Sequence, residues 1–236
     1  MIYKKHFIPL ESNPVLFTQL IHQLGVSTVL SFHDVWSLDD PYLLSLVPRP
    51  VLAFIIVFPT PSDYEDRLAK ESDLIVNNTL QKESKDVMWF KQTINNACGL
   101  YAIIHAVANG QPGTHLSHLL EKCASLDSSG CAAVLENDVE LELKYNSVAV
   151  LGDTEAPENP EDEVDFHYVC FVKSHQRSHL FILDGDRNGP VDRGLLIEDD
   201  LLSKRGIETI KEFIGHYDNG RNFGLLALAP GIDLAT

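Results

Sequence analysis

An α+β fold is what this sequence predicts, on three observations. Residues 51–58 form an unbroken apolar run, β-branched and aromatic, with the composition of a buried strand. Residues 166–172 and 180–184 run apolar or alternate and are joined by polar SHQRSH, the pattern of an antiparallel hairpin. Residues 14–24 and 98–109 carry helical start and stop signals.

In chain order, Asn13 offers a capping side chain and Pro14 stands at the first helical position. Residues 14–24 then read as an amphipathic helix with Val15, Leu16, Leu20 and Ile21 as its apolar residues, stopping at Gly25. Asp39, Asp40 and Pro41 open a second short helix through Val47, and Pro48 and Pro50 end it just before the 51–58 strand. Residues 60–85 are rich in charge around one apolar island at 74–76, so they read as weakly packed helix or loop. Residues 98–109, CGLYAIIHAVAN, are apolar all round and predict a buried helix ending at Gly110. A further helix is predicted over 115–124. Residues 146–165 are dense in carboxylates and proline, which predicts a solvated loop, and a loop that long inside a compact domain carries function. Residues 196–216 read as helix and 223–228 as a last strand.

The chain has 236 residues, enough for one substantial core, and a single domain over 1–236 is the expectation. No apolar run is long enough to span a bilayer, and the first residues lack the pattern of a secretory leader, so cytoplasm, with the nucleus as a second compartment, is expected. The four cysteines form no CxxC pair and are expected to stay reduced. Acidic residues outnumber basic ones by 34 to 18, a formal charge of −16 that disfavours nucleic acid and anionic membranes and favours basic partners.

Cys98 is the residue that could carry chemistry. A free cysteine is by habit a small buried apolar residue, so context must decide. Cys98 begins a predicted buried helix, with Asn95 and Asn96 upstream as caps, and the helix dipole there favours a thiolate. Gln92 lies six residues earlier, and its amide could donate to an oxyanion together with the Cys98 N–H. His167 opens one predicted strand and Asp184 ends the paired one, so neighbouring strands can set imidazole beside carboxylate. Spacing alone does not single out His167 among ten histidines.

The blocks PLESNP, DVWSLDDPYLLSLVPRP, FKQTINNACGLYAIIHAVANG, TEAPENPEDEVDFHYVCFV and LFILDGDRNGPV together resemble the ubiquitin C-terminal hydrolases, a family of cysteine peptidases. The resemblance runs from Pro9 to about Pro190, with a weaker NFGLLALA beyond. It implies a papain-like fold, a central antiparallel sheet flanked by helices, with a knotted backbone and the acidic loop before His167 crossing over the active site. It places the nucleophile at Cys98, the oxyanion glutamine at Gln92, the base at His167 and the orienting aspartate at Asp184. It also maps contacts with the substrate to Leu10, Glu11 and Asp34. The implied substrate is ubiquitin bearing a small adduct or short peptide extension, or a ubiquitin-like modifier of the NEDD8/Rub1 type, cleaved by a monomer without cofactor. Relatives carry an acidic residue just before the last strand, where this chain has Gly220, Arg221 and Asn222, with Asp218 earlier. A non-catalytic ubiquitin-binding protein is the competing class.

Among the remaining candidates, His105 reads as a hydrogen-bonded core histidine, His175 and His179 as solvated turn residues, and Trp36 and Trp89 as core anchors. Asp184, Gly185 and Asp186 lack the further oxygen ligands of a calcium loop, and no metal is assigned.

Overall fold

The computed structural model describes residues 3–61, 64, 68, 86–110, 113–155, 157, 159, 161–162, 164–217 and 222–231. Two short strands, β1 (Lys5–His6) and β4 (Ile94–Asn95), pair in parallel. Six others form the main sheet: β2 (Leu30–Asp34), β3 (Ala53–Pro59), β5 (Phe166–Lys173), β6 (His179–Leu183), β7 (Val191–Leu195) and β8 (Gly224–Pro230), in the order β2-β8-β3-β5-β6-β7. Every neighbouring pair in it is antiparallel. The apolar run predicted over 51–58 is β3, flanked by β5 and β8 and buried on both faces at Ala53, Phe54, Ile55, Ile56 and Phe58.

Alternation along the strands splits the apolar residues between the two faces. Ile55, Tyr168, Cys170, Leu183 and Leu226 pack on one side with α1 (Pro14–Gln23) and α3 (Cys98–Asn109). Phe54, Ile56, Val169, Phe171 and Ile182 face the other, against Ile210, Phe213 and Ile214 of α7 (Lys204–Tyr217). The cap on α1 forms as expected, with the Asn13 side chain accepting from Val15 N, and the chain leaves through Gly25 at φ 82°. α3 is buried from Cys98 to Val107, so it is held by core packing on all sides. Among the described residues no helix is long and apolar enough to cross a membrane.

Several expectations are corrected. Asn95 and Asn96 do not cap α3: Ala97 is the N-cap and no side chain bonds there, because Asn96, at φ 57°, turns the chain and sends its amide elsewhere. α2 spans only Pro41–Ser45. Beyond α4 (Thr114–Cys123), two further helices appear, α5 (Ser128–Glu136) and α6 (Val139–Ala149), capped by Asp127 and Asp138. Leu141, Tyr145 and Val148 recur at helical spacing into the core, so α6 takes the first residues of the expected 146–165 loop. Residues 196–203 precede α7 rather than begin it, because the Asp200 carboxylate holds a turn by accepting from Val51 N and Leu202 N. Trp36 is 73% exposed and is not a core anchor, since Val35 and Leu38 take the buried positions on either side. Tyr64 and Leu68 are buried on the α7 face, against the expected weak packing of 60–85. The 74–76 island lies outside the described residues, as do Asp218, Gly220 and Arg221.

Candidate active site

Cys98 is the first residue of α3. The β1–β4 pair and the bond from Phe7 N to Asn95 O (3.0 Å) fix the chain just before it. With no side chain capping the helix, the N–H groups of its first turn remain unclaimed by a cap, and with the dipole they favour negative charge at that end. The Leu10 backbone is tied down beside this helix start by Tyr168, whose hydroxyl donates to Leu10 O at 3.0 Å.

Strand register assembles the base. Cys170 of β5 faces Leu183 of β6, so the residue after β6, Asp184, returns alongside the start of β5, where His167 stands opposite Phe58. His167 Nε2 and Asp184 Oδ1 are 2.8 Å apart and both residues are buried. The second Asp184 oxygen accepts from the Tyr64 hydroxyl at 3.3 Å and lies 3.3 Å from Arg187 Nε. Burial would raise the Asp184 carboxyl, but His167, Arg187 and the Asp186 amide outweigh it and bring it down to about 2. Burial also opposes charge on His167. The Asp184 and Asp186 carboxylates nevertheless hold the imidazolium well above its ordinary range. Phe58 and Tyr64 wall the ring at centroid distances of 6.0 and 5.5 Å.

Gln92 is buried and its Nε2 donates to Ile94 O at 3.1 Å, which fixes the amide and leaves its second N–H available. Gln92 Oε1 has no hydrogen-bond partner among the described residues. The segment around it lies against the turn that carries Asp184. Trp89 Nε1 donates to Asp184 O (2.8 Å), Lys91 Nζ to Asp186 O (2.7 Å) and Arg187 O (3.0 Å), and Gln92 N to Gly185 O (2.9 Å). Sequence reasoning missed Tyr64, Lys91 and Arg187. Lys91 adjoins Gln92 and Arg187 follows the Asp184 turn, but only the tertiary pairing of the two segments reveals their use.

The acidic loop is moored beside the nucleophile. Asn96 Nδ2 donates to Asp162 O at 2.8 Å and Asn95 Nδ2 to Glu161 O at 3.4 Å. At the other end of the loop Glu11 Oε2 accepts from Thr154 N at 2.6 Å, a bond that lowers the Glu11 carboxyl below its ordinary range. His167 thus bonds Asp184, Gln92 bonds the turn that carries Asp184, and Cys98 opens α3 six residues after Gln92. Leu10 has its side chain buried and its carbonyl engaged, Glu11 is bonded to the loop, and Asp34 ends strand β2 opposite Leu226, half-buried, with burial pushing its carboxyl up. His105 is a core histidine as expected, accepting from Phe90 N at 3.0 Å. Trp89 is partly buried against the core, His175 is exposed, and His179 pairs with Asp192.

His167, Asp184 and Asp186 offer three ligand atoms within 4.8 Å of one another. Asp184 Oδ1 already serves His167 and the Asp186 amide, so the donor set works as a buried ion-pair network rather than an open coordination shell.

A family model described as "Ubiquitin carboxyl-terminal hydrolase, family 1" matches residues 7–215. The chain is 34% identical over 239 residues to ubiquitin carboxyl-terminal hydrolase YUH1 of Saccharomyces cerevisiae, covering 94% of this chain and 95% of the yeast protein. It is 36% identical over 225 residues to a ubiquitin carboxyl-terminal hydrolase of Drosophila melanogaster, with 93% and 96% covered. The fold resembles the Trichinella spiralis UCH37 catalytic domain, solved bound to ubiquitin vinyl methyl ester, with a TM-score of 0.73, 24% identity and 97% of each chain covered.

Proposed function

The chain belongs to the ubiquitin carboxyl-terminal hydrolase family 1, and from that premise we propose that it cleaves small adducts and short peptide extensions from the C-terminal glycine of ubiquitin, with Cys98 as nucleophile. The observation that carries this reading is the buried His167–Asp184 pair, Nε2 to Oδ1 at 2.8 Å, in a family member whose Cys98 opens a buried helix.

The Cys98 thiolate attacks the glycine carbonyl, forming a C–S bond and an oxyanion. Gln92 and the Cys98 N–H stabilise that charge, which is larger in the transition state than in the substrate. Collapse of the tetrahedral species breaks the bond to the leaving group, which takes the proton carried by the His167 imidazolium. The imidazole then removes a proton from water as it attacks the thioester, releasing the ubiquitin carboxylate and restoring the thiol. Asp184 holds the ring through both half-reactions. The moored 150–165 loop supports a preference for slender leaving groups, since a loop fixed at both ends passes an extended tail but not a folded domain. The chain works as a monomer, and the tail of a ubiquitin-like modifier of the NEDD8/Rub1 type is its second substrate class.

The test is turnover of a fluorogenic ubiquitin C-terminal amide together with capture by a ubiquitin probe bearing a C-terminal electrophile. Cys98→Ala should abolish both while leaving ubiquitin binding intact. Unchanged turnover would remove Cys98 as nucleophile, and binding without turnover by the native chain would establish a carrier instead of an enzyme.

A further inference from the structure

His167 faces a second carboxylate. Asp184 takes Nε2 at 2.8 Å, and Asp186 places Oδ2 3.5 Å from Nδ1, the ring nitrogen that Asp184 leaves. Asp186 is held there by its backbone: its N–H donates to Asp184 Oδ1 at 2.9 Å and its carbonyl accepts from Lys91 Nζ at 2.7 Å. Its side chain is partly exposed, whereas that of Asp184 is closed from solvent.

Resting on the reading of Cys98 and His167 as nucleophile and base, we propose that Asp186 is a positioning residue whose carboxylate lies against Nδ1 of His167 and sets the upper pH to which the imidazolium persists. An anion at that nitrogen stabilises the imidazolium, which delays loss of the histidine proton as pH rises. The upper limit of the active window therefore moves upward.

The other groups facing the ring do not duplicate this arrangement. Phe58 of β3 and Tyr64 wall the ring, and the Tyr64 hydroxyl is directed at Asp184. Arg187 lies against the far oxygen of Asp184, and the Lys91 ammonium is bonded to the Asp186 and Arg187 carbonyls. Asp186 is the group whose charge can be removed while its main-chain contacts stay in place.

The experiment is the pH dependence of Cys98 alkylation by iodoacetamide in the full chain, which needs no ubiquitin. Native protein, Asp186→Asn, Asp186→Glu and His167→Asn are compared, with thermal unfolding of each recorded alongside. The native profile should change as His167 loses its proton. Asp186→Asn should move that inflection to lower pH by about one unit, and Asp186→Glu should return it toward native. An inflection unmoved in Asp186→Asn, with only the amplitude or melting temperature lowered, would reduce Asp186 to a structural role and overturn the proposal while leaving the site intact. A native profile that His167→Asn does not alter would overturn the proposal and the assignment of the base together.

Discussion

Gln92 and Gly185 meet backbone to backbone: Gln92 N donates to Gly185 O at 2.9 Å, and a Cβ placed on Gly185 would stand 2.8 Å from Gln92 Cβ. The residue assigned to the oxyanion and the turn that carries Asp184 are therefore parts of one contact. Movement of either displaces the other.

Gly185→Ala follows from that contact. The glycine does not occupy the left-handed region, so alanine suits the backbone there and its cost is the collision with Gln92. Pushing the segments apart should cost about 1–3 kcal/mol of stability and lower kcat on a ubiquitin amide by more than that loss explains. Urea unfolding read beside steady-state kinetics separates the two. Activity falling only in proportion to the folded fraction would show that the contact does not position the site.

Gln92→Ala should lower kcat on the order of 100- to 1000-fold with ubiquitin binding unchanged, the range for removing one oxyanion donor. The Ile94 carbonyl that Gln92 now serves loses its donor, so unfolding must be measured as well. A rise in KM with kcat intact would make Gln92 a ground-state contact.

How much of this could be read beforehand differs by element. The apolar run of β3 and the asparagine-proline start of α1 are local signals, and both appear where the residues place them. Cys98 and Gln92 share one short segment and were legible together, whereas the choice of His167 among ten histidines needed the family blocks. The clamp by Trp89 and Lys91 was not legible, because nothing in 89–92 announces the distant turn it grips. Trp36 departs from expectation because it lies past the end of β2, where Val35 and Leu38 turn into the core and the ring between them faces solvent.

Asn96→Gly should loosen the loop without straining the backbone. Position 96 is at φ 57°, which glycine adopts freely and alanine only at a cost of roughly 1–2 kcal/mol. The substitution removes the donor to Asp162 O. Turnover of ubiquitin carrying a small fluorophore should stay near native, while ubiquitin fused to a folded domain should be cleaved faster, and protease should cut sooner within 150–165. An unchanged ratio of the two substrates would show that this tether does not gate the site.

His105 gives a pH prediction whose sign is fixed by its surroundings. The ring is buried on α3, accepts from Phe90 N and has no partner at Nδ1 among the described residues. Burial dominates and pushes it from 6.5 down to about 4. The folded state therefore keeps it neutral over a range in which the unfolded chain takes up a proton. Its contribution is complete above pH 6.5, is lost as pH falls from 6.5 toward 4, and changes no further below that. The full loss is about 3 kcal/mol, with a limiting slope of about 1.4 kcal/mol per pH unit. His105→Gln keeps an acceptor for Phe90 N but cannot titrate, so subtracting its stability curve from the native one isolates this residue from the other histidines. Urea unfolding of both proteins at intervals between pH 7.5 and 4 should give curves that converge as pH falls. Curves that run parallel across the window would mean that His105 takes up a proton as readily inside the fold as outside it.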